Sequence, residues 1–206
     1  FLSGLSSAII WSLLSIFVYL RNKKNRINRT FFLFAFSVAI YSFGFSQQAI
    51  ANTSQSSLFW IKFLLMGTIF IPLFFLQFTF AVLRKKIGRK ILIALYSTIV
   101  FFEFINFFTP WLAKNPIPKY TFKYLFQAGM LYPILFLFFA IVVVYSLFKL
   151  KEGYKASTGI KRNQLKYFFW AFIGFSGGAV GFLLGYNCFL ISPIIPFATY
   201  GVSLYA

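Results

Sequence analysis

Histidine and aspartate are absent from these 206 residues, cysteine occurs once, at Cys188, and the only carboxylates are Glu103 and Glu152. Each shortage removes a class of chemistry. A zinc or haem site cannot be assembled from its usual ligands here, so no metal and no cofactor is expected. One thiol excludes an intramolecular disulfide framework. Without histidine there is no Ser-His-Asp triad. The chain also lacks a Gly-rich phosphate loop ending in Lys-Ser/Thr. This segment is therefore expected to have no catalytic residues.

Charge is scarce as well. Charged residues make up 11% of the chain, whereas a water-facing globular domain carries about 25%. In their place stand 60% hydrophobic and 24% aromatic residues, including 33 Phe. A chain this apolar needs lipid as the solvent for its outer face. The useful ruler is then the membrane-spanning helix of about 20 apolar residues. By that ruler the spans are Phe1–Leu20, Phe31–Ala51, Leu58–Leu83, Ile91–Phe108, Leu125–Phe148 and Tyr167–Tyr186, with a seventh beginning near Ile194 and cut short at Ala206. The expected fold is an all-α polytopic membrane bundle of about seven transmembrane helices. Residues 1–206 read as one domain truncated in its seventh helix, with any cytoplasmic output domain beyond it. The connection from Thr109 to Tyr124 is expected to be irregular because Pro116 and Pro118 interrupt it, and Pro72 and Pro133 fall in mid-span as kinks. The first span is not a cleaved signal peptide, because its positive residues follow the apolar run instead of preceding it.

The net charge of +18 invites a nucleic-acid reading, which the placement of the charges opposes. Lys and Arg lie in short clusters between apolar runs rather than along one polar face. The connections after spans one, three and five hold five, five and six basic residues, 16 of the 20. The other four, Lys62, Lys114, Lys119 and Lys123, fall on the opposite side. Lys and Arg resist translocation, so the rich side is cytoplasmic, the N-terminus is outside and the C-terminus inside. Nucleic acid is not an expected partner; anionic lipid is. The expected location is the cytoplasmic membrane, crossed several times. Tyr19, Trp60, Trp111, Tyr124, Tyr167 and Trp170 fall near span ends, where amphipathic rings favour the headgroup layer.

Glu103 is the residue that stands out. It lies inside span four, about one and a half turns from the outer end, and an intramembrane carboxylate is costly unless paired or protonated. The other carboxylate, Glu152, falls in the opposite compartment, which excludes paired-carboxylate catalysis. Lys62, near the start of span three, sits at similar depth and is placed for an ion pair with Glu103. Asn106, three residues on, shares the face of Glu103, and Gln47 and Gln48 end span two at a comparable level. These residues suggest an outward polar pocket for a small-molecule ligand; the bland alternative is a structural Lys62–Glu103 clasp. The glycines at 174, 177, 178, 181 and 185 read as a close-packing stripe. Asn52-Thr53-Ser54 matches a glycosylation sequon, a pattern common by chance. A retinal pigment needs a Lys deep in helix seven, and Ile194–Ala206 has none.

The stretch Lys161-Arg162-Asn163-Gln164-Leu165-Lys166-Tyr167, followed by Gly174, Gly177-Gly178 and then Pro193 and Pro196, resembles the N-terminal seven-helix sensor region of bacterial histidine kinases. Trp60 and the segment Pro72-Leu73-Phe74-Phe75-Leu76-Gln77-Phe78 resemble the same family. The resemblance implies a sensory input module for two-component signal transduction, found also ahead of diguanylate cyclase-type output domains. It further implies a cytoplasmic transmitter and a homodimer formed through that output domain. Two readings compete with it: a small transporter or permease, which would show internal repeats and broken helices, and a membrane-embedded enzyme or scaffold. Absence of His and Asp disfavours the enzyme. The charge pattern makes a direct prediction. In a Cys188→Ser background, single cysteines at positions 85 and 161 should react with a membrane-impermeant thiol reagent from the same face. Opposite faces would overturn the topology.

Overall fold

The computed structural model describes residues 1–119, 122–159 and 161–169. In order they form α1 (Leu2–Arg21), α2 (Arg26–Ala49), α3 (Ser54–Val82), α4 (Arg89–Phe108), β1 (Ala113–Lys119), β2 (Phe122–Ala128) and α5 (Tyr132–Lys155). All five helices are long and apolar enough to cross a membrane. Residues 161–169 are helical too. The rest of expected span six, the whole of span seven, and with them the glycine stripe from 174 to 185 lie outside the described residues.

Internal packing divides the chain between Phe139 and Ala140. In the first unit α2 packs against α1 and α3, and α3 also packs against α4 and the hairpin. The pattern of burial is the one lipid demands. Small residues face inward: Gly4, Ser7, Ala8 and Ser15 are the buried residues of α1, while Leu2, Leu13, Phe17 and Leu20 are exposed. Lipid tails are as apolar as leucine, so helices gain little by hiding leucine and must associate through close backbone packing. Two glycines provide that approach. A Cβ on Gly44 would stand 2.8 Å from the Leu64 nitrogen, and one on Gly67 would stand 2.6 Å from the Tyr41 nitrogen. Ser7 and Ser42 share a hydrogen bond of 3.2 Å between α1 and α2. Around this seam, the fully buried Phe34 meets Trp11 of α1 and Phe75 of α3.

Local capping sets the helix ends. Asn22 accepts from the backbone nitrogens of Lys24 and Asn25, Asn25 caps α2 at Ile27, and the Asn28 amide reaches back to the Val18 carbonyl at 2.8 Å. Thr53 caps α3 by accepting from the Ser56 nitrogen. At the other end of α3, Lys85 N–H donates to the Phe80 carbonyl and Arg84 N–H to that of Ala81. Arg84 takes the left-handed conformation, φ 55°, that this helix-closing pattern requires. The Arg26 guanidinium then donates to the Lys85 carbonyl at 3.2 Å, so the first two basic connections share one end of the bundle. The hairpin lies at the opposite end of α3, where Ser54 donates to the Pro116 carbonyl.

Two expectations are corrected here. The connection expected to be irregular is an antiparallel hairpin, and Leu125 belongs to its second strand instead of opening span five. Its register slips between Lys114 and Ile117 and again between Ile117 and Lys119, the intervals that contain Pro116 and Pro118. A proline offers no N–H to a ladder, and a bulge absorbs that loss. Pro133 is the second residue of α5 rather than a mid-span kink. There its missing N–H would be unsatisfied anyway. Pro72 does lie within α3, buried, and the helix is continuous through it.

The second unit contains the later part of α5, where Val142, Val143, Ser146 and Leu150 are buried. Lys149 and Glu152 form an i,i+3 ion pair of 2.9 Å, and the Arg162 guanidinium lies over the Tyr154 ring. Exposed pairs of this kind contribute about 0–1 kcal/mol. The glycine contacts yield a prediction. Gly67→Ala should destabilise the protein by about 1–3 kcal/mol through forced separation of α2 and α3. Gly88→Ala, whose nearest contact would be an ordinary 3.8 Å, should be close to neutral. Unfolding in mixed micelles measures both.

Candidate functional site

The polar residues singled out on α3 and α4 do meet, though in a different arrangement from an ion pair. Asn106 is 1% exposed, and its Nδ2 donates to the backbone carbonyl of Lys62 at 2.9 Å. In return the Lys62 ammonium donates to the backbone carbonyl of Phe107 at 3.0 Å. The two bonds tie α3 to α4 reciprocally. Lys62 lies two turns into α3, because Thr53 starts the helix earlier than hydropathy suggests.

The choice made by Lys62 has a physical cause. Phe107 is the second-last residue of α4, and the last four carbonyls of a helix have no partner within it. They also carry the partial negative charge of the helix dipole. An ammonium there satisfies an orphan acceptor and meets favourable potential at once. Neighbouring Ile105 has its own partners, since its carbonyl accepts from the nitrogen and hydroxyl of Thr109. The Lys62–Glu103 pair expected from depth alone is not formed. Among the described residues the only ion pair is Lys149–Glu152.

Glu103 is left without a donor. Both of its carboxyl oxygens are buried and make no hydrogen bond, and the same holds for Asn106 Oδ1. Three buried acceptor oxygens thus gather within one turn of α4. Its buried stripe runs through Ile99, Phe102, Ile105 and Asn106, and Phe102 stacks obliquely on Phe138 of α5. Glu103 therefore sits at the edge of a packed face.

Gln47 and Gln48 fall in the last turn of α2 and are half-buried. Their side chains make no hydrogen bond to Glu103, Lys62 or Asn106. Gln77 on α3 was not singled out from sequence, yet its amide donates to the Tyr96 hydroxyl on α4 at 2.8 Å, a second polar tie between these helices. The signal available was its depth: an uncharged amide late in an apolar span needs a partner. An open groove of about 660 Å³ runs along α4 past Arg89, Ile93, Tyr96, Val100 and Phe104. It is apolar and does not include Glu103, Lys62 or Gln47.

The hairpin covers the end of the bundle nearest this cluster. Leu112 and Ala113 are buried, and the Leu112 carbonyl accepts from Gly129 N–H at 2.9 Å. A Cβ at Gly129 would collide with the Trp111 carbonyl, so the strand ends close tightly there. The signal for this element was present in the alternation of Tyr120, Phe122, Tyr124 and Phe126 with Thr121 and Lys123. The long apolar run that follows obscured it.

A family model described as the N-terminal 7TM region of histidine kinase matches residues 4–205. Neither the curated proteins nor the solved structures contain a significant match. The geometry makes a prediction independent of that match. Since Lys62 and Glu103 are unpaired, a double-mutant cycle with Lys62→Met and Glu103→Gln at neutral pH should give a coupling below about 0.5 kcal/mol. A formed ion pair would give more.

Proposed function

We propose that this chain, which belongs to the family of N-terminal 7TM regions of histidine kinase, is the membrane-embedded sensory input module of a signalling protein, a sensor histidine kinase. The match over residues 4–205 carries the proposal. On this reading residues 1–206 are one seven-helix sensor domain in the cytoplasmic membrane, N-terminus outside and C-terminus inside. It relays an extracytoplasmic or membrane signal to a cytoplasmic transmitter of the whole protein, whose output domain forms a homodimer. The lipid bilayer is its other partner, with anionic lipid against the basic connections.

The contacts around α3 support a route for the signal. α3 has 29 residues, so at 1.5 Å per residue it is roughly 43 Å long. One end joins the hairpin and, two turns on, the Lys62–Asn106–Phe107 clasp; the other meets Arg26 beside the basic connections. A stimulus that favours one α3–α4 arrangement is felt at both ends of one rigid element. Its effect is bounded by its differential affinity for the two arrangements. Glu103, Lys62, Asn106 and Gln47 form the outward input region on this proposal, with a small ligand as the stimulus.

The test uses the intact gene product in inside-out membrane vesicles supplied with ATP. Phosphate should enter the protein in an acid-labile, phosphohistidine-like form. Asn106→Leu, which cuts one bond of the clasp, should change the rate at least twofold without abolishing it. Absence of phosphotransfer together with solute uptake by reconstituted proteoliposomes would replace the sensor reading with that of a transporter.

A further inference from the structure

The hydrogen-bond inventory around Asn106 constrains what Glu103 can be. The Lys62 carbonyl only accepts, so it fixes the orientation of the amide: one of the two Nδ2 hydrogens goes to α3 and Oδ1 remains as an acceptor. Oδ1 is buried without a partner in a residue that is 1% exposed. A buried acceptor without a donor costs about 1–3 kcal/mol. Three residues back on α4 is the Glu103 carboxyl, whose two oxygens are also buried and unpartnered. As a carboxylate it would add acceptors to an acceptor, and carry an unpaired charge at membrane depth. As a neutral acid it has one O–H to donate, so a single proton removes the charge, supplies Asn106 Oδ1 with a donor and leaves one carbonyl oxygen unpartnered in place of three acceptors.

We propose that Glu103 and Asn106 form a proton-binding site, in which the Glu103 acid donates to Asn106 Oδ1 and the Asn106 amide donates on to the α3 backbone. This deepens the input-region reading by naming its ligand as a proton. The charged and titratable groups around the site are few. From α3 the one charged residue is Lys62, and the hairpin over this end carries Lys114, Lys119 and Lys123. On α4 itself, Arg89 and Lys90 stand at the far end of the helix, more than two turns away. Tyr96 is engaged by Gln77. From the first turns of α5, residues 132–139 bring Tyr132 and no charge. Lys62, whose ammonium is bonded to the end of the same helix, is the responding group. When the acid releases its proton to water, the site falls from a net charge of +1 to zero. The carboxylate then competes with the Phe107 carbonyl for the ammonium, and one bond of the clasp is exchanged for an ion pair.

Infrared spectroscopy of the intact protein in lipid nanodiscs reads this directly. At neutral pH, wild type minus Glu103→Gln should contain a protonated-carboxyl C=O stretching band, and wild type minus Glu152→Gln should not. Asn106→Leu should move the band to higher frequency, as expected for an acid that loses its acceptor. On alkaline titration the band should disappear in wild type. No band at neutral pH, or a band unmoved by Asn106→Leu, overturns the proposal. Glu103→Gln keeps an amide donor for Oδ1, so the fold is preserved for the comparison. The band is read without any output, so its absence would leave the phosphotransfer result standing, and failed phosphotransfer would leave the proton site standing.

Discussion

The close approach of α2 and α3 is the contact on which the first unit depends. Gly44 against the Leu64 backbone and Gly67 against Tyr41 and Ser37 bring the two helices to distances that no side chain would allow. In lipid there is little hydrophobic gain from burying leucine between helices, so this backbone proximity and its dispersion contacts do the work that a core does in water. Once α3 is fixed against α2, its remaining face is committed to α4. Gln77 and Lys62 then fall opposite Tyr96 and Asn106, and the polar ties between α3 and α4 follow from that commitment.

Those ties have opposite characters. Gln77–Tyr96 pairs two neutral groups and reads as simple cross-linking of helices. The Lys62–Asn106–Phe107 clasp uses backbone carbonyls on both helices, so substitution of neighbouring side chains leaves its acceptors in place. It also leaves three acceptors at Glu103 and Asn106 without donors. A fully satisfied network rigidifies, whereas a partly satisfied one is poised to take up whatever supplies the missing donor. This point of imbalance lies next to the hairpin-covered end of the 29-residue α3.

Hydropathy and charge spacing made the helices legible from sequence. α1 and α4 coincide with their expected spans to within a few residues, because each is bounded by charge on one side. α2 and α3 begin earlier than expected, at Arg26 and Ser54. Asn25 and Thr53 supply N-caps that extend helix into polar sequence, an effect hydropathy does not register. The hairpin was missed because Leu125 to Leu131 merges into the apolar start of α5. Pro133, read as a kink, marks a helix start once that boundary moves.

For the candidate site, sequence supplied the membership and the structure supplied the pairing. Residue type and depth were enough to single out Glu103, Lys62 and Asn106, since polar groups in an apolar span are conspicuous one at a time. Which of them bond was decided by the tertiary structure. Lys62 had two candidate partners at similar depth, a carboxylate and the carbonyl end of a helix, and the packing of α4 on α3 brought the Phe107 carbonyl to 3.0 Å from its ammonium. Sequence records how far along a helix a residue lies; packing against neighbours sets the direction in which it points, and hydrogen bonds are decided by direction.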